Sequence, residues 1–154
     1  MPEMLKMIEV LSAENMKERG AMIGERLVGG ECLELIGDVG AGKTTFTKGL
    51  ALGLGIDEDI QSPSFTISRV YEARDNLRLD HYDFYRLPDP GILEYEFAES
   101  LADDQVITVV EWGESVENIL PDNRIVVQIT ATADEVREVT FKGPQLEVLL
   151  KDIV

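Results

Sequence analysis

The chain has 154 residues, with 30 acidic against 14 basic side chains and a formal net charge of −16. That balance argues against a large footprint on a phosphate backbone, so nucleic acid is not expected as a direct partner of this chain alone. Hydrophobic residues make up 44% and charged residues 29%, the balance of a soluble globular protein, and the length suits one domain over residues 1–154 with a real core.

In chain order, the opening MPEMLKMIEVL has no basic region followed by a long apolar run. It predicts neither a signal peptide nor a membrane span, and a cytoplasmic location is expected. Residues 5–11 alternate loosely and predict a short strand. Ser12 can cap a helix to about residue 27, whose Met16, Met22, Ile23, Arg26 and Leu27 give only a partial apolar stripe. Gly29-Gly30 ends it. Residues 31–36 read as a strand, and 45–54 as a helix stopped by Gly55. Cys32 is the only cysteine, so no disulfide can form within the chain, and its place in the strand predicts a small buried hydrophobe.

Pro63 holds residues 61–66 extended. Residues 65–71 and 77–84 read as two strands joined at Arg74-Asp75-Asn76, a hairpin. Leu87-Pro88-Asp89-Pro90-Gly91 breaks the chain before a helix over 92–101, with Leu93, Phe97 and Leu101 at four-residue spacing. Residues 106–110 form an apolar run ending at Glu111-Trp112-Gly113. Residues 114–120 are a short helix or turn. Residues 124–131 and 136–141 alternate as a second hairpin, and Gly143-Pro144 opens a final helix carrying Leu146, Leu149 and Leu150. The expected fold is α/β with a mixed central sheet flanked by helices, and the stretch GDVGAGKTT between the strand at 31–36 and the helix at 45–54 makes its core that of a P-loop NTPase.

The stretch GDVGAGKTT, Gly37 to Thr45, carries the chemistry. Gly37, Gly42, Lys43 and Thr44 match the P-loop pattern, between a predicted strand and a predicted helix. Backbone N–H groups must point inward around phosphate oxygens, and Gly37, Gly40 and Gly42 permit that conformation. The helix start offers unpaired N–H groups and a positive dipole end to the same anion. Lys43 can reach the outer phosphates, and the Thr44 hydroxyl can ligate Mg²⁺. Because the chain is so acidic, Lys43, the helix end and Mg²⁺ must invert the local field.

A nucleotide hydrolase also needs a metal site, a way to place water and a γ-phosphate sensor. Thr44 and Glu111 are the natural metal pair, with Glu111 at the end of a buried strand as a Walker B acid; the alternative is an ordinary surface acid. Asp83, in HYDFYR, is a second acid near a strand end, and His81 and Asp83 could instead hydrogen-bond each other across a turn. Ser62, Ser64 and Thr66 lie where switch-like loops occur, or serve turn chemistry alone. Trp112 is a packed aromatic or a reporter beside Glu111.

GDVGAGKTT, SPSFT, HYDFYR and VVEWGE, in this order and spacing, resemble the small bacterial ATPase family TsaE, formerly YjeE. The resemblance runs from the first strand to about Pro121, and no motif is matched in 122–154. One departure is Ser64, where the family usually reads SPTF or SPTY; a hydroxyl is kept. The resemblance implies ATP or ADP bound at Gly37, Asp38, Val39, Gly40, Ala41, Gly42, Lys43, Thr44 and Thr45. It implies Mg²⁺ at Thr44 or Thr45 and at Glu111, Asp83 as a catalytic residue with Glu111, and a role for Trp112. Adenine lies near the start of the first helix in that family, which makes 12–15 the region to watch and Glu14 the candidate contact.

The family's work is N6-threonylcarbamoyladenosine (t6A) formation in tRNA. Its members support a TsaB–TsaD pair through an ATP cycle, downstream of TsaC, without transferring the carbamoyl group themselves. Hydrolysis is expected to be weak without those partners, and tRNA is met only indirectly. Two rival readings remain. A small-molecule kinase fits the P-loop, but no segment clusters arginines as a lid would. A nucleotide-sensing switch module fits too, although no Asn-Lys-x-Asp guanine element is present.

Overall fold

The computed structural model describes residues 4–38, 40–61, 68–85 and 89–153. In chain order the elements are β1 (Met4–Val10), α1 (Ala13–Gly24), β2 (Cys32–Ile36), α2 (Lys43–Gly53), β3 (Ser68–Glu72), β4 (Arg78–Asp83), α3 (Leu93–Ala102), β5 (Val106–Glu111), β6 (Ile125–Ala131), β7 (Arg137–Gly143) and α4 (Leu146–Leu149). Tight 3₁₀ turns occupy Arg74–Asn76 and Gly113–Ile119. The strands form one sheet in the order β1-β7-β6-β2-β5-β4-β3. The inner four, β6, β2, β5 and β4, run parallel. Antiparallel pairing adds β7 and β1 at one edge and β3 at the other. Both expected hairpins are present, and the sheet is mixed.

The nearly continuous apolar run of β5 is buried at all six positions, as a central parallel strand must be. On one sheet face, α1, α2 and α4 close the main core with Leu33, Leu35, Phe46, Leu50, Val109 and Phe141. On the other, α3 and the 113–119 turn cover a smaller cluster built on Tyr82, Phe84, Phe97 and Val110. Phe97 meets Tyr82 edge-on at 4.9 Å and Phe84 at 5.3 Å between ring centroids. Cys32 lies buried under this second layer.

Three boundaries differ from the sequence expectation. Helix α2 starts at Lys43 rather than Thr45, because Gly42 is its N-cap in a left-handed conformation (φ 120°). Helix α1 ends at Gly24 rather than near Leu27. There the Arg74 guanidinium donates to the carbonyls of Gly24, Glu25 and Leu27 at 2.9, 2.9 and 3.0 Å, meeting orphan acceptors and the negative dipole end together. The final helix α4 is a single turn.

The thin apolar stripe of α1 has a physical reason. Where α1 meets α2, glycines do the packing. A Cβ on Gly20 would stand 2.8 Å from the Phe46 carbonyl oxygen, and one on Gly49 would stand 2.5 Å from that of Lys17. Cβ atoms on Gly24 and Gly53 would stand closer still to the backbones of Leu50 and Ala21. The helices therefore touch backbone to backbone, and α1 needs few large apolar side chains. Among the described residues, no helix is long and apolar enough to cross a membrane.

Candidate functional site

The P-loop leaves the carboxyl end of β2 and enters α2, the arrangement its sequence requires. Gly40 (φ 82°) and Gly42 (φ 120°) take left-handed conformations that an L side chain resists. A Cβ on Gly37 would stand 2.7 Å from the Ile129 carbonyl oxygen, so the loop is pressed against β6. Asp38 and Gly40 are exposed, while Ala41 is buried and Thr44 and Thr45 are half-buried in the first turn of α2. Val39 lies outside the described residues.

Lys43 curls back over its own loop. Its Nζ donates to the Gly37 carbonyl at 2.6 Å, stands 3.9 Å from Glu111 Oε1 and sits 4.0 Å from the Trp112 ring centroid. Burial pulls the Lys43 ammonium below its usual pKa, while the carboxylates of Glu111, Asp83, Asp38 and Glu114 push the other way. Trp112 itself has a left-handed backbone (φ 55°, ψ 51°), uncommon for a bulky residue. The Lys43 ammonium against its ring, and Tyr85 packed at 4.7 Å between centroids, hold it there.

The two candidate acids meet across parallel strands. Asp83 on β4 is the register partner of Glu111 on β5, at the carboxyl ends of both, the side of an open parallel sheet where ligands bind. Both are buried, at 5% and 3% exposure. Asp83 Oδ1 accepts the Tyr85 backbone N–H at 2.9 Å. Glu111 is not a surface acid: Oε2 lies 2.6 Å from His81 Nε2 and Oε1 faces Lys43. His81 therefore pairs with Glu111 on the neighbouring strand, and not with Asp83 across a turn, the alternative that its sequence position left open. Thr44 and Glu111 offer hard oxygen donors of the kind that Mg²⁺ takes, alongside water and phosphate oxygens. Among the described residues, no three His, Cys, Asp or Glu side chains are grouped to hold a metal by themselves. Ser62, Ser64 and Thr66 lie outside the described residues, as does Arg86 of the HYDFYR stretch.

Cavities open on both sides of the loop. One, of about 280 Å³, opens between the start of α1 (Ser12, Ala13, Met16), the glycines Gly40 and Gly42 with Thr45, and the tip of the β6–β7 hairpin (Asp134, Glu135, Arg137). Another, of about 580 Å³, lies on the Trp112 side, lined by Gly37, Asp38, Gln128 and Thr130 among others. The region around 12–15 thus borders a cavity at the P-loop. Ser12 caps α1 by accepting the Asn15 N–H at 3.0 Å. Glu14 is exposed in the first turn and is not among the lining residues.

Sequence reasoning missed the hairpin tip. Arg137 Nε donates to the Ala41 carbonyl at 2.8 Å, and its Nη1 donates to the carbonyls of Ala133, Asp134 and Val136 at 3.0–3.2 Å. One side chain thereby ties the hairpin turn to the P-loop. The signal available was an arginine beside a turn rich in small and acidic residues, ATADEVR, and nothing local says which loop it meets.

A family model described as threonylcarbamoyl adenosine biosynthesis protein TsaE matches residues 10–139. The match passes Pro121 and takes in β6 and the hairpin tip. A Treponema pallidum protein named tRNA threonylcarbamoyladenosine biosynthesis protein TsaE is 42% identical over 132 residues, 84% of this chain and 94% of that protein. A protein of the same name from Streptomyces coelicolor is 41% identical over 136 residues, 83% of this chain and 90% of that protein. The crystal structure of Bacillus subtilis YdiB superposes with a TM-score of 0.77 at 33% identity, covering 99% of this chain and 96% of that one.

Proposed function

The chain belongs to the TsaE family of threonylcarbamoyl adenosine biosynthesis proteins, and from that premise we propose that it binds and hydrolyses ATP as an accessory protein of t6A formation in tRNA, acting with a TsaB–TsaD pair. The observation that carries the reading is the meeting of Lys43, Glu111 and the Gly37 carbonyl at the mouth of the P-loop. The loop N–H groups and the α2 N-terminus receive the phosphates. Lys43 exchanges the Gly37 carbonyl for a phosphate oxygen, a stronger charge-assisted bond. Thr44 and Glu111 hold Mg²⁺, which when bound supplies positive charge to the phosphate oxygens. Asp83, buried beside Glu111, is the second acid available to the attacking water. The 280 Å³ cavity takes the nucleoside end, between Ser12 and Arg137. The net charge of −16 leaves the tRNA to a partner subunit.

The test is ATP turnover by the purified protein, alone and with the TsaB–TsaD pair of the same organism. Low turnover alone, clear stimulation by the pair and a loss of about a hundredfold in Glu111→Ala are the expected results. Full turnover in Glu111→Ala, or a phosphorylated small molecule as the product, would defeat the reading.

A further inference from the structure

Besides Lys43, Glu111 has a second neighbour, His81. His81 stands on β4 two residues before Asp83, hence on the same sheet face, and it is fully buried. Its Nε2 is 2.6 Å from Glu111 Oε2. Its Nδ1 is buried with no hydrogen-bond partner among the described residues. A hydrogen on Nδ1 would be left unmet at a free-energy cost, so the ring hydrogen belongs on Nε2, where an ionised carboxylate accepts it.

The consequence lies at the other oxygen. Glu111 Oε1 stops 3.9 Å from Lys43 Nζ, farther than the roughly 2.8 Å of a direct charge-assisted bond. A buried carboxylate with no other donor would close onto that ammonium, because an unmet buried charge is expensive. Closure would occupy both the metal ligand and the phosphate-binding lysine with each other. We propose that His81 is a positioning residue: its Nε2–H ties down Glu111 Oε2, so that Oε1 stays turned toward the phosphate side and Lys43 stays free for the nucleotide. The inference rests on the nucleotide-hydrolysing reading above, and it adds a residue that acts only through Glu111.

The test uses the full chain and ADP, so that no turnover is needed. Trp112 is the only tryptophan and lies against Lys43, so its fluorescence reports ADP binding with chelator and with rising Mg²⁺. His81→Leu is expected to raise the half-saturating Mg²⁺ by about ten- to a hundredfold, the usual penalty for losing a residue behind a metal ligand. His81→Gln, which returns an N–H donor near the Nε2 position, is expected to stay within about threefold of wild type. In a Glu111→Ala background, His81→Leu should change the Mg²⁺ response no further, as two residues acting as one unit require.

A His81→Leu protein with wild-type Mg²⁺ dependence overturns the proposal. So does an equal further loss in the Glu111→Ala background. If His81→Leu fails to fold, His81→Gln decides: a folded Gln variant with a large loss of Mg²⁺ response overturns the positioning role. Wild-type protein that binds no ADP would instead overturn the nucleotide reading itself.

Discussion

The two faces of the sheet are covered in opposite ways. On the P-loop face, α1 and α2 meet through Gly20, Gly24, Gly49 and Gly53, with backbone against backbone. On the far face, α3 is held by side chains. Phe97 packs edge-on against the stacked rings of Tyr82 and Phe84, and Ser100 Oγ donates to Asp80 Oδ2 at 2.6 Å while Arg78 grips the same carboxylate at 2.8 and 2.9 Å. Side chains can shift rotamer and absorb a change in volume; two backbones in contact cannot. The rigid pairing sits under the helix that begins at Lys43, and the adaptable one lies behind the sheet. The molecule thus places its least forgiving packing where the loop must be held to a fraction of an ångström.

The far face gives way first if its anchor is removed. Phe97 is fully buried, and Phe97→Ala is expected to cost about 3–5 kcal/mol in denaturant unfolding. Phe97→Leu is expected to cost about 1–2 kcal/mol and to leave ADP affinity within about threefold of wild type, because neighbouring side chains can close over the smaller group. A loss of ADP binding in a folded Phe97→Leu protein would mean that the far face governs the site after all.

On the near face, a single methyl is the sharper probe. In Gly49→Ala the new Cβ would stand 2.5 Å from the Lys17 carbonyl oxygen and 3.0 Å from the Gly20 Cα, so the helices must separate. Helix propensity favours alanine over glycine by about 1 kcal/mol, so any net loss measures the clash. A net destabilisation of about 1–3 kcal/mol is expected, together with weaker ADP binding as α2 shifts. A more stable Gly49→Ala protein would show that the helices slide freely, and the contrast between the faces would fail.

These differences explain which parts could be read from the residues. The P-loop, the buried strand before Glu111 and the two hairpins are local patterns, each carried by residues close in sequence, and the structure contains them. The glycine interface was hidden, because Gly20 and Gly24 in a helix read as weak helix formers and become informative only when Gly49 and Gly53 lie opposite. The His81–Glu111 bond was hidden because it depends on β4 and β5 being parallel neighbours in one register. The Arg137–Ala41 bond depends on sheet order as well, since it joins residues 96 apart. Ser12 at the α1 N-terminus was legible as a cap, and its place beside the P-loop cavity needed the fold.

The faintest test of the contrast is alkaline. Cys32 and Tyr82 share the far-face cluster. Burial pushes the Cys32 thiol from 9.0 up to about 12, with the nearby Glu34 adding to the rise. Burial likewise pushes the Tyr82 hydroxyl from 10.0 up to about 12. In the unfolded chain these groups release their protons near pH 9 and 10, whereas in the folded chain they keep them until about 12. Their contribution to stability is therefore full below pH 9 and is lost as the pH rises toward 12. Denaturant midpoints measured from pH 8 to 11 should fall, and the double substitution Cys32→Ala with Tyr82→Phe should flatten that fall while lowering the midpoint at pH 8. The near-face variant Gly49→Ala should keep the wild-type slope, since it removes no titrating group. An unchanged slope in the double variant would mean that the alkaline sensitivity does not arise behind the sheet.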